Sequence, residues 1–221
     1  LGKDFTMEFR TKEMLTSMGV YGVLVLLVFG AALAMTSAGF DVTQMASGLI
    51  WVLVVFTSLL GLNRSFSHEK EDGAIEGLLL VPMDRSLVFL AKTTTNLVLL
   101  LVVEAIVIPL FFFFFLSGAA LPSTVAWIIA PLVVGSIGVA GVGTLLSTIT
   151  INTRSRDVLL AIMFIPVIFP LLYACVGATS QAFLGMADGM YGFLSALALA
   201  AGYDAIMIVA SWALYDFVIS A

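Results

Sequence analysis

The chain has 221 residues, 62% of them hydrophobic and only 10% charged, with a mean hydropathy of +1.18. No soluble globular surface can be built from that composition, so the protein is integral to a membrane, with lipid around it and nucleic acid excluded as a partner. The formal net charge of −5 carries little information, because acidic residues do not set membrane topology and little soluble surface exists to be steered.

Crossing the hydrocarbon layer by helix takes roughly 20 apolar residues, and the runs here are continuous rather than alternating as barrel strands are. An all-α membrane protein with one domain, 1–221, is therefore predicted. Residues 1–13 place Phe5 and Phe9 on one helical face, with Lys3, Glu8, Arg10, Lys12 and Glu13 around the rest. That pattern suits an interfacial helix, and a frayed polar tail is the alternative. A charged, amphipathic opening also lacks the short apolar core of a cleavable signal peptide. Spans are predicted at 14–37 and 45–62.

The segment 63–92 then gathers nine of the chain's 23 charged residues between two apolar runs. Ile75, Leu78 and Leu79 fall at i, i+3, i+4 spacing, with Glu69, Glu71 and Asp72 before them and Pro82 after, as in a short amphipathic helix with marked ends. Asp84 can cap the helix that follows. A solvated loop is the alternative.

The third span, 93–116, carries Glu104 and, five residues on, Pro109. An ionised acid facing lipid at that depth costs about 3 kcal/mol even on a lenient insertion scale, so Glu104 must face protein or water. Either it lines a conformational interface or a proton-accessible cavity, or it is protonated or hydrogen-bonded to a neighbouring helix. The fourth span, 125–150, has Ser136, Ala140, Thr144 and Thr148 at i, i+4 spacing among Gly135, Gly138, Gly141 and Gly143, a composition that permits close helix contact. Arg154, Arg156 and Asp157 form a second polar loop before a fifth span at 158–177, which contains Pro166 and Pro170. Segment 178–202 reads as periplasmic or re-entrant, and a sixth span follows at 203–221. Asp204 either lies buried at midplane or caps that last helix; Gly202 and the strength of Asp as an N-cap favour the cap.

All nine basic residues lie in the N-terminal segment or in the loops after the second and fourth spans. Under the positive-inside rule both termini and the charged loop are cytoplasmic. One cysteine, Cys175, and one histidine, His68, cannot by themselves supply a disulfide, a Cys/His metal cluster or a paired-histidine haem site. The one Gly-Lys pair, Gly2-Lys3, is followed by Asp4 and so forms no phosphate-cradling loop, and no nucleophile elbow exists. No catalytic residue is therefore assigned.

The first cytoplasmic loop reads Glu-x-Glu-x-Gly-x-x-Glu-x-Leu-Leu-x-x-Pro. With six spans and an amphipathic start, it resembles the permease subunits of ABC exporters, where this loop is the coupling helix. Gly61 to Phe66, Glu69 to Gly73, Glu76 to Leu80, and Pro82 with Asp84-Arg85-Ser86 are similar to the haem exporter protein B (CcmB) family of cytochrome c maturation. Glu8 to Glu13, Lys92, Asn96, Glu104, Pro109 and Tyr203-Asp204 fit as well. The resemblance implies a bacterial inner-membrane permease paired with a separate cassette ATPase, beside haem-handling membrane subunits and a haem chaperone. It implies that ATP is bound by the partner and haem is handled by the complex, with neither held by this chain. The ATPase contact would then comprise Glu69, Glu71, Asp72, Gly73, Ile75, Glu76, Leu78, Leu79, Pro82 and Arg85, with Arg154, Arg156 and Asp157 as a lesser one. An exporter permease for a lipid or polysaccharide, and an ion-coupled transporter using Glu104 and Asp204, are the alternatives.

Overall fold

The computed structural model describes residues 13–35, 42–71, 85–117, 121–150, 153, 155–186 and 189–220. Among these there is no strand. The helices are α1 (Glu13–Ala34), α2 (Thr43–Glu71), α3 (Arg85–Phe115), α4 (Ile129–Thr150), α5 (Arg156–Phe183) and α6 (Gly189–Ser220), with a 3-10 turn, Ser123–Ile128, leading into α4. Each of the six contains a stretch long and apolar enough to cross a bilayer. Large apolar side chains point outward along them, Leu27 at 65% exposure, Phe169 at 64% and Ile206 at 71%, as lipid requires. The protein is an all-α, multi-pass membrane protein. The expected interfacial helix, save Glu13, and residues 72–84 of the charged loop lie outside the described residues.

Three boundaries differ from the sequence expectation. Helix α2 does not stop at residue 62 but continues to Glu71, because Asn63 to Glu71 contains neither Gly nor Pro and helix-compatible residues carry the ladder into the polar layer. Helix α5 runs on to Phe183 with Pro166 and Pro170 inside it. The third difference is a correction. The last helix begins at Gly189 and not at 203, so most of segment 178–202 is helical: residues 178–183 complete α5, 184–186 turn, and 189–202 make the first half of α6. Glycine costs a helix interior about 1 kcal/mol. In hydrocarbon, breaking the ladder would strand backbone N–H and C=O groups at several kcal/mol each, so the helix continues through Gly202.

Helix α4 is the hub, packing against α2, α3, α5 and α6, whereas α1 packs against α2 and α3. Its glycines make this possible by opening different sides. A Cβ at Gly135 would overlap the Trp51 ring on α2, one at Gly138 would overlap the Asp204 carboxylate on α6, and one at Gly143 would overlap Leu62 on α2. The small-residue face read from the sequence is thus part of a helix that is small nearly all round, and buried nearly all round.

Candidate functional site

Two polar bonds join α3 to α4. Ser136 Oγ donates to Glu104 Oε1 at 2.7 Å, and Asn96 Nδ2 donates to Thr144 Oγ1 at 3.0 Å. The helices are antiparallel, and the two bonds recur about two turns apart along each of them, so they share one register. Glu104 is 6% exposed, so of the two surroundings the sequence allowed it, protein or water, it faces protein. Of the alternatives left open for it, the hydrogen bond to a neighbouring helix is present. Pro109 lies within the same continuous helix but on its exposed side, so acid and proline do not share a face. A small cavity where α1, α2, α3 and α4 meet is lined by Met18, Ser58, Gly61, Asn96, Leu100 and Ala140.

Replacing Glu104 probes this seam. Glu104→Gln keeps the volume and an acceptor for Ser136, and should leave membrane accumulation and melting temperature near wild type. Glu104→Leu leaves a buried hydroxyl without its partner, worth about 1–3 kcal/mol, and should lower the melting temperature in detergent by several degrees. Equal melting of the two variants would show that the bond contributes nothing.

Asp204 occupies the other side of α4. It does not cap a helix; α6 runs through it, and it is 5% exposed. Ser136 and Gly138 are about 200° apart around α4, so the two acids flank the hub from α3 and from α6. The Asp204 carboxylate lies against Gly138, and neither oxygen has a side-chain donor among the described residues. Beside it, Tyr203 donates to the Val167 carbonyl of α5, one residue beyond Pro166.

The third group of contacts ties α2 to α5. Trp51 Nε1 donates to Thr179 Oγ1 at 2.9 Å in the buried interior. At the end of the bundle that carries Lys92 and Arg156, which we term the basic end, a guanidinium nitrogen of Arg156 donates to the Asn63 carbonyl at 2.5 Å. Arg156 also approaches Asp157, 3.5 Å from Nε to Oδ1, and the Asp157 side chain is 71% exposed.

Of the residues singled out for a partner contact, Glu69 and Glu71 lie on the extension of α2 and Arg85 opens α3. Asp72, Gly73, Ile75, Glu76, Leu78, Leu79, Pro82 and Arg154 lie outside the described residues. The start of α3, the α2 extension and the start of α5 share the basic end. Sequence reasoning missed the Trp51 to Thr179 bond and the seat of Asp204 on Gly138; a tryptophan deep within an apolar run was the available signal for the first. Among the described residues no group of three His, Cys, Asp or Glu side chains is placed to hold a metal ion.

Comparison with known proteins agrees with this architecture. Residues 1–216 match the profile of the family described as CcmB protein. The chain is 31% identical over 157 residues to Heme exporter protein B of Escherichia coli (strain K12), covering 70% of this chain and 69% of that one. It is 27% identical over 165 residues to Heme exporter protein B of Paracoccus denitrificans (strain Pd 1222), covering 73% of each. The protein of the same name from Pseudomonas aeruginosa is 24% identical over 187 residues, or 84% of this chain and 81% of that one. With a profile match over nearly its whole length and relatives aligned across more than two thirds of theirs, this chain belongs to the CcmB family.

Proposed function

We propose that this chain is the permease subunit of an ABC-type complex in cytochrome c biogenesis. A separate cassette ATPase would hydrolyse ATP, and the permease would couple that hydrolysis to haem delivery, or to release of a haem-loaded chaperone, in the periplasm. The observation that carries this reading is the family match over residues 1–216, with relatives named Heme exporter protein B. The absence of a phosphate-cradling loop from the sequence supports a partner as the site of ATP binding. Haem ligation belongs in this reading to the haem-handling membrane subunits and chaperone, since one histidine cannot supply two axial ligands.

The basic end is then cytoplasmic, and the α2 extension and the segment after it meet the ATPase. Because α2 crosses the membrane and continues to Glu71 as one helix, a push on the segment is delivered along a rigid rod to the hub α4. The test is genetic. In a strain lacking its own Heme exporter protein B, this chain should restore covalent haem staining of exported c-type cytochromes. A haem-staining pattern no different from the empty vector, with the chain and its cognate partners present in the membrane, would overturn the reading.

The orientation carries its own prediction. Single cysteines at Lys70, Asp41 and Asp188 in a Cys175→Ala background should react with an impermeant maleimide from opposite faces, position 70 only after the cytoplasmic side is opened. Labelling of position 70 in intact spheroplasts would reverse the assignment.

A further inference from the structure

We propose that Arg156 is a positioning residue that fixes the root of the coupling segment, and not a surface contact for the ATPase. This rests on the permease reading above. The Arg156 side chain is 14% exposed and points into the bundle, toward the carbonyl of Asn63. Asn63 is the residue at which the apolar span of α2, Met45–Asn63, gives way to its polar extension. A carbonyl has two lone pairs, so it can keep its helical bond and still accept the guanidinium. A permanently charged, forked donor is suited to that site at the membrane boundary, where the bond is charge-assisted.

Packing holds α2 as far as Leu62 in the Gly143 notch, and the polar extension beyond it needs a tie of its own. The Trp51 to Thr179 bond is the upper tie between α2 and α5, and Arg156 to Asn63 is the lower, about 18 Å away along α2 at the helical rise. Two points fix a line. With both in place, α2 and α5 move as one body, and the direction in which the extension leaves the membrane is set. From α5 the displacement reaches α6 through the Tyr203 hydroxyl on the Val167 carbonyl, next to Pro166. Without the lower tie the extension pivots at its root, just beyond Leu62, so that a partner can bind it without moving α5. Arg156 thus separates binding from transmission.

Two measurements test this. Nitroxides at Ser67 on the α2 extension and Val158 on α5, in the purified Cys175→Ala chain, should give one narrow distance distribution. Arg156→Ala should broaden it, and Arg156→Lys, which keeps charge and a donor, should restore most of it. In the complex purified in mild detergent, Arg156→Ala should retain the ATPase at wild-type amount while the yield of haem-stained c-type cytochrome falls on the order of tenfold, the equilibrium equivalent of one charge-assisted hydrogen bond. Arg156→Gln replaces Arg156→Ala in both measurements if the alanine variant does not accumulate. An unchanged narrow distance in Arg156→Ala would overturn the proposal, and so would loss of the ATPase from that variant, which would make Arg156 a direct contact. If the wild-type chain retains no ATPase, the permease reading fails, and the nitroxide distances still decide whether the tie holds.

Discussion

Replacing Leu78 and Leu79 together with Asp should release the ATPase from the complex and abolish c-type cytochrome formation, while the chain stays in the membrane. These residues lie outside the described structure, and the expectation is built from their pattern. The spacing of Ile75, Leu78 and Leu79 predicts one apolar face of a short helix, with Glu71, Asp72 and Glu76 as its charged flank, and such a helix set into a groove would be anchored by a few buried side chains. Two carboxylates forced into an apolar groove cannot both be paired. Anchors of this kind contribute about 2 kcal/mol or more each, so retention of the partner should drop by well over tenfold. Insertion is unaffected because the pair lies outside the six spans. An ATPase retained at wild-type amount would move the contact to Arg154 and the exposed Asp157, on either side of the inward-facing Arg156.

The second large effect concerns Trp51. Its ring is 2% exposed, fills the notch left by Gly135 on α4, and donates to Thr179 on α5, so one side chain joins three helices. Trp51→Ala removes that volume and one bond to the Thr179 hydroxyl, which still donates to the Cys175 carbonyl, and should cost about 3–5 kcal/mol, mostly from the cavity, enough to lower accumulation in the membrane several-fold. Trp51→Phe keeps most of the packing and loses only the bond, about 1 kcal/mol. The thermal stability of the purified chain should therefore fall in the order wild type, Phe, Ala, with the larger step from Phe to Ala. A Phe variant as unstable as Ala would assign the effect to the hydrogen bond and not to the packing.

Much of the fold could be read from composition, because the bilayer permits so few solutions. Continuous apolar runs of sufficient length become helices, and six were expected and found. The α3–α4 seam was half legible: Glu104 had to face protein or water, and Ser136 and Thr144 lay on the small-residue face that meets it. The start of α6 was not legible. Gly202 followed by Asp204 is locally the mark of a helix beginning, and the signal was overridden by the demand that backbone groups in lipid stay bonded. The seat of Asp204 depends on Gly138, two helices earlier in the chain, and Trp51 depends on Thr179 across the bundle. Contacts of that range leave no periodic trace in one sequence. The continuation of α2 past Asn63 could have been read from the lack of Gly and Pro before Gly73, but the density of charge there suggested a loop.

The two buried acids on either side of α4 also suit ion-coupled transport, which would proceed in this chain without any ATPase. That alternative and the central claim part on one measurement. Purified in mild detergent with an affinity tag, the chain should bring down a cassette ATPase in stoichiometric amount, together with haem-handling membrane subunits, all identified by mass. Recovery of the folded chain alone, from membranes in which those subunits are present, would contradict the permease account.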